Sequence, residues 1–101
     1  MSIVLTQEMP GATRELVEQV TAAMHFEETG TPAGLVVHTA TEVAGGIRIV
    51  DVWESAEDAT NFGETRLRRA IEQVAAANGV DLSQMPNMEP KIEEAFEIVL
   101  P

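Results

Sequence analysis

Two β-branched runs, 35–42 and 47–54, flank Gly45-Gly46, and this arrangement constrains the fold more than any other feature of the chain. Two glycines meet the positive-φ demand of a two-residue type I′ turn, so the segment reads as a β-hairpin. On that register Ala44 pairs with Ile47, His38 faces Trp53, Ala40 faces Asp51 and Glu42 faces Ile49. Side chains alternate along a strand, so these residues share one face with Val36. The other face carries Val37, Thr39 and Thr41 beside Arg48, Val50 and Val52. One face therefore gathers His38, Asp51 and Trp53, with His38 and Asp51 as diagonal neighbours.

The rest of the chain supplies partners for this hairpin. Ile3 to Thr6 reads as a strand stopped by Met9-Pro10-Gly11. Thr13 is placed to cap a helix whose apolar positions are Leu16, Val17, Val20, Ala23 and Met24, ending near Thr29-Gly30. Ser55 caps a second helix with Glu57 and Asp58 in its first turn. Gly63 interrupts that helix, predicting a kink or a short helix followed by a longer one, before Asn78-Gly79 ends it. Residues 80–90 read as a loop, in which Met85 and Met88 would pack as flexible filler. Residues 91–100 fit a helix or a strand; the order β-α-β-β-α leaves a sheet needing its last strand, which we place at Phe96 to Leu100. The expected class is α+β, a ferredoxin-like β-α-β-β-α-β sandwich with an antiparallel sheet, as a single domain over residues 1–101.

Composition narrows the function. With 17 acidic against 6 basic residues the net charge is −11, which argues against nucleic acid and anionic membrane as partners. There is no cysteine and no tyrosine, and Lys91 is the single lysine, so thiolate, phenol and Schiff-base chemistries have almost no candidates. No apolar run approaches membrane-spanning length and no signal pattern opens the chain, so a cytoplasmic location is expected. A two-helix ferredoxin-like subunit covers one sheet face only. Here neither face is solvent-like, which predicts a homodimer stacked through its sheets.

The stretch from Gly46 to Ser55 (GIRIVDVWES), with the acid-opened helix bearing Phe62 and Leu67, resembles small bacterial dimeric α+β barrel proteins. More narrowly it is similar to an uncharacterised actinomycete-type group related to antibiotic-biosynthesis monooxygenases. Pro10-Gly11-Ala12-Thr13, Pro32-Ala33-Gly34-Leu35 and His38 fit the same group, and the resemblance covers nearly the whole chain. It implies a subunit paired through its sheet and a cavity between sheet and helices, with Trp53, Ile49, Val36 and Phe62 as ligand-binding residues for a small apolar or aromatic molecule. Relatives include cofactor-free oxygenases, haem degraders and polyketide cyclases, so the fold does not choose the reaction. Haem-degrading and several oxygenase-like members add a histidine about ten residues beyond the tryptophan; this chain has Asn61-Phe62-Gly63 there, and its first three strands hold no asparagine. No cofactor, haem or metal is therefore expected.

Two readings of the polar pair stand side by side. His38 is a general base whose tautomer Asp51 fixes, or a histidine hydrogen-bonded within the sheet for structure. Asp51, in a strand of Ile, Val and Trp, must be paired or hydrogen-bonded; Arg66 or Arg69 is the structural alternative to His38. His25 reads as a C-terminal helix cap and the arginines Arg66, Arg68 and Arg69 as a solvated face. Glu42 could in principle join His38 and Asp51 in a metal triad, but it lies near the open end of the hairpin, away from convergence with them. The function expected is small-molecule binding by a homodimer; the alternative is a cofactor-independent, monooxygenase- or cyclase-like enzyme on aromatic or polyketide-type metabolites, with His38 and Asp51 transferring protons.

Overall fold

Ile3–Pro10 forms the first strand, β1, which runs past the expected stop at Thr6 because it lies inside the sheet and pairs with β3 along its whole length, from Ile3 opposite Trp53 to Pro10 opposite Gly46. The structure is a computed structural model that describes residues 1–84 and 89–101; Met85 and Met88 lie outside the described residues. The elements that follow are α1 (Arg14–Ala23), α2 (Phe26–Thr29), β2 (Leu35–Val43), β3 (Gly46–Trp53), α3 (Ala56–Phe62), a π-helical turn (Gly63–Leu67), α4 (Arg68–Ala77) and β4 (Lys91–Glu94). The antiparallel sheet has the order β2-β3-β1-β4, which is the ferredoxin-like α+β arrangement.

Both helix starts form as the sequence dictates. The Thr13 hydroxyl accepts from the Leu16 amide at 3.2 Å, and the Ser55 hydroxyl from the Asp58 amide at 3.1 Å. The first helix does not run unbroken to Gly30. It stops at Met24, and His25 takes a left-handed conformation (φ 51°) before the short α2 begins. His25 thus ends the helix through its backbone, in a position usually given to glycine. At Gly63 the second helical region widens into the π turn, so the expected short helix followed by a longer one is found as α3 and α4.

The hairpin register needs correction. The turn is Ala44-Gly45, with Val43 opposite Gly46, and of the glycine pair only Gly45 has positive φ (80°). Gly46 is a strand residue, and its reason is contact: a Cβ there would stand 2.4 Å from the Met9 carbonyl oxygen of β1. The strands are consequently offset by two residues from the expected register. His38 faces Asp51, Ala40 faces Ile49 and Glu42 faces Ile47. An offset of two keeps every residue on its expected face, because the side-chain period is two.

A β-bulge then exchanges one residue. Leu35 pairs with Trp53 and Val37 with Val52, so Val36 is the extra residue and Leu35, not Val36, stands opposite the indole. The last strand also differs from expectation. β4 is Lys91–Glu94, and residues 96–100 are not in a strand. The cause is geometric: β4 runs antiparallel to β1, reaching Glu94 opposite Ile3, and after the Ala95 amide bonds the Ser2 carbonyl the partner strand is exhausted.

The core lies between sheet and helices. Ile3, Trp53 and Ala59 form its centre, with Leu5, Leu35 and Phe62 packed around them. Trp53 is 1% exposed and its ring lies 5.4 Å from that of Phe62, in a tilted arrangement favourable for aromatic pairs. On the opposite face Val4, Val37, Val50 and Val52 are none of them buried. Among the described residues, no helix is long and apolar enough to cross a membrane.

Candidate functional site

The hairpin brings His38 and Asp51 into direct contact. Being opposite partners rather than diagonal neighbours, they place His38 Nδ1 2.6 Å from Asp51 Oδ1. Asp51 is 6% exposed, and its other oxygen, Oδ2, accepts from the Trp53 indole N–H at 3.4 Å. Burial of this carboxylate is tolerated because both oxygens have donors. Neither Arg66 nor Arg69 is its partner, so the arginine alternative for Asp51 is replaced by this histidine–tryptophan pair.

A carboxylate can only accept, so the Nδ1 hydrogen of His38 points at Asp51 and the neutral ring keeps its lone pair on Nε2. The imidazole side chain is 39% exposed, which leaves the ring within reach of a small molecule. The hydrogen bond that His38 donates to Asp51 raises the His38 pKa above the ordinary imidazole value, partial burial opposes it, and the charge of Asp51 adds to the rise. A short bond anchored on a buried acid holds the imidazole in one orientation and one tautomer.

The other expected site residues separate. Ile49 is half-buried on the same face as Asp51, opposite Ala40. Glu42 forms an ion pair with Arg14 and so turns away from any triad with His38 and Asp51. Phe62 lines a cleft of about 220 Å³ with Pro32, Ala33, Asp58, Asn61, Thr65 and Arg66. A second cleft, of about 190 Å³, lies between Ala23, Met24 and Thr29 on one side and Arg66, Arg69, Ala70 and Gln73 on the other. His38, Asp51 and Trp53 line neither, so Phe62, stacked on Trp53, is the link between the first cleft and the dyad.

Arg66 was expected on a solvated face and instead joins two helical regions. Its Nη2 donates to the Met24 carbonyl at 3.1 Å, the Gly30 carbonyl at 2.8 Å and the Thr29 hydroxyl, with the guanidinium 5.0 Å from the centre of the Phe26 ring. The carbonyls left bare where α1 and α2 end, at Met24 and Gly30, need donors, and the guanidinium supplies them. Leu35 and Arg66 are the residues that sequence reasoning missed. The bulge that turns Leu35 inward has no local signature, and the arginine's partners lie 36 to 42 residues away.

No protein-family model and no curated protein sequence matches the chain. Solved structures do. A protein of Deinococcus radiodurans provisionally assigned as an antibiotic biosynthesis monooxygenase superposes with TM-score 0.56 at 16% identity, covering 100% of this chain and 98% of that one. A similarly assigned protein of Chloroflexus aurantiacus gives 0.52 at 15% identity over 96% and 97% of the two chains. SnoaB, a cofactor-independent oxygenase of Streptomyces nogalater, gives 0.51 at 17% identity over 97% and 95%. At these identities the likeness is one of fold. The chain has the ferredoxin-like α+β fold seen in antibiotic biosynthesis monooxygenase-like proteins.

Proposed function

We propose that this protein binds a small apolar or aromatic metabolite and that His38, backed by Asp51, removes a proton from it without a cofactor. The 2.6 Å contact between His38 and the buried Asp51 carries this reading. The acid fixes the tautomer and ring position, and Nε2 is the base that meets the ligand. An aromatic or polyketide-type compound suits such a base, because its phenolic hydrogens and the C–H hydrogens of its keto tautomers are within reach of an imidazole base. The cofactor-independent oxygenase among the structural neighbours supports the class of chemistry. We further propose a homodimer, because Val4, Val37, Val50 and Val52 leave an apolar sheet face unburied in the single subunit. A cytoplasmic setting suits a cysteine-free chain.

Binding without turnover is the second reading. It is favoured by the clefts, of which the first touches Phe62 and neither touches His38, and by an indole packed too deeply to serve as an open platform.

Deuterium exchange into the ring C–H positions of 1,3-dihydroxynaphthalene, followed by proton NMR in D2O, separates the two. The protein is expected to accelerate exchange, and His38→Gln to remove about 10²-fold or more of the acceleration, the usual contribution of a general base. The rate should climb as pH rises through the His38 pKa, since only the neutral ring accepts a proton. Equal rates for both proteins would refute the base; saturable binding by both without exchange would establish the second reading.

A further inference from the structure

The cations of this chain divide into two groups. Four of the 6 basic residues have a carboxylate partner: Arg14 has Glu42, Arg48 has Glu8, Arg68 has Glu72 and Lys91 has Glu93. Arg66 and Arg69 are the other two. Among the described residues neither has an acidic partner, and no acid lines the cleft of about 190 Å³ that they share between the end of α1 and α4. With 17 acids in the chain, partners for an arginine are plentiful. Two uncompensated guanidiniums in one acid-free cleft are therefore a concentration of positive charge found nowhere else among the described residues.

Arg66 is held in place without losing its charge. Its hydrogen bonds all leave from Nη2, to the Met24 and Gly30 carbonyls and the Thr29 hydroxyl, and the Phe26 ring lies 5.0 Å away. These partners are neutral, so they fix the guanidinium but cancel none of its charge. A guanidinium carries five N–H donors, and those on Nε and Nη1 make no hydrogen bond among the described residues. A half-buried arginine already ordered in this way loses little freedom on meeting a planar oxyanion. Arg69 brings a second set of donors, while Arg68, between them, lies outside the cleft and pairs with Glu72.

The remaining wall selects among anions. Ala23, Met24 and Ala70 give the cleft an apolar side, which an inorganic ion would leave unused. A carboxylate meets a guanidinium through two parallel N–H···O bonds, and its own carbon skeleton can cover that side. We infer that the Arg66–Arg69 cleft binds a small organic carboxylate, its charge on the two guanidiniums and its carbon skeleton against Ala23, Met24 and Ala70. The cleft lies apart from the His38–Asp51 pair, so this site does not depend on the proton-transfer reading.

Titration of the full chain with sodium benzoate at constant ionic strength, followed by 1H–15N NMR, tests it. The shifts should saturate with a Kd on the order of 1 mM, as suits a ligand this small, and centre on Met24, Thr29, Arg69 and Gln73. Benzamide has the same shape without the charge and should bind at least about tenfold more weakly, the effect of losing hydrogen bonds between charged groups. Arg69→Gln should weaken benzoate by a similar factor, and its exposed position leaves the fold intact. Arg68→Gln removes the same charge one residue away and should leave benzoate binding unchanged, as should His38→Gln. Equal binding of benzoate and benzamide would overturn the recognition of an anion. Equal losses in the Arg68 and Arg69 variants would overturn the site in favour of net charge alone. Inorganic phosphate that displaces benzoate at equal concentration would overturn the role of the apolar wall. Shifts that do not saturate, or that centre elsewhere, would overturn the cleft as the site.

Discussion

β2 and β3 are adjacent strands of one hairpin, yet they live in different solvents. β3 buries Ile47, Asp51 and Trp53, whereas β2 buries nothing and exposes six consecutive residues from Val37 to Glu42. The difference follows from position: β3 lies between β1 and β2 beneath the helical layer, while β2 is an edge. The dyad straddles this boundary. Asp51 belongs to the buried strand, where packing and the indole N–H hold it still; His38 belongs to the exposed strand, where its side chain is partly open. A site assembled across such a boundary obtains rigidity from one side and access from the other.

Substitutions on the two strands should differ accordingly. Trp53→Ala should cost roughly 3–5 kcal/mol, measured by urea unfolding, because it empties the centre of the core beside Phe62, Ile3 and Ala59. A loss below about 1 kcal/mol would show that β3 is not the sealed strand described above. Thr39→Ala, on the exposed strand, removes a 2.7 Å hydrogen bond from its hydroxyl to the Val50 carbonyl. In the dissociated subunit, where that bond is in contact with water, it should be worth no more than about 1 kcal/mol, and a larger loss at concentrations where the proposed dimer forms would report that the partner covers β2.

Much of this contrast is legible in the sequence, and what is not has identifiable causes. The strand faces followed from alternation, so His38, Asp51 and Trp53 were placed together even though the register was offset by two. The offset arose because Gly46 is glycine for the sake of β1, not of the turn; a long-range approach by Met9 looks locally the same as a demand for positive φ. The inward Leu35 depends on a bulge, which the sequence does not mark. The last strand was placed too late in the chain because Phe96, Ile98 and Leu100 alternate as a strand should, whereas the length of β1 decides where pairing ends. Arg66 is unreadable for the same kind of reason: its partners are distant in sequence, and the Met24 carbonyl is exposed by a helix break that the apolar spacing of Leu16 to Met24 conceals.

The dyad also ties stability to pH. His38 has a pKa raised in the folded protein, so its bond to Asp51 contributes fully below the ordinary imidazole value of about 6.5. That contribution is lost as pH rises through the higher folded value, and His38→Gln should flatten the slope of stability across that window. The proposed proton-transfer site is tested most directly by proton NMR titration of the His38 ring in the native protein and in Asp51→Asn. The native midpoint should lie above the ordinary value and fall in the variant, with the fold retained. A His38 that titrates at the same pH in both proteins would contradict the site, because its ring would then be neither held nor tuned by Asp51.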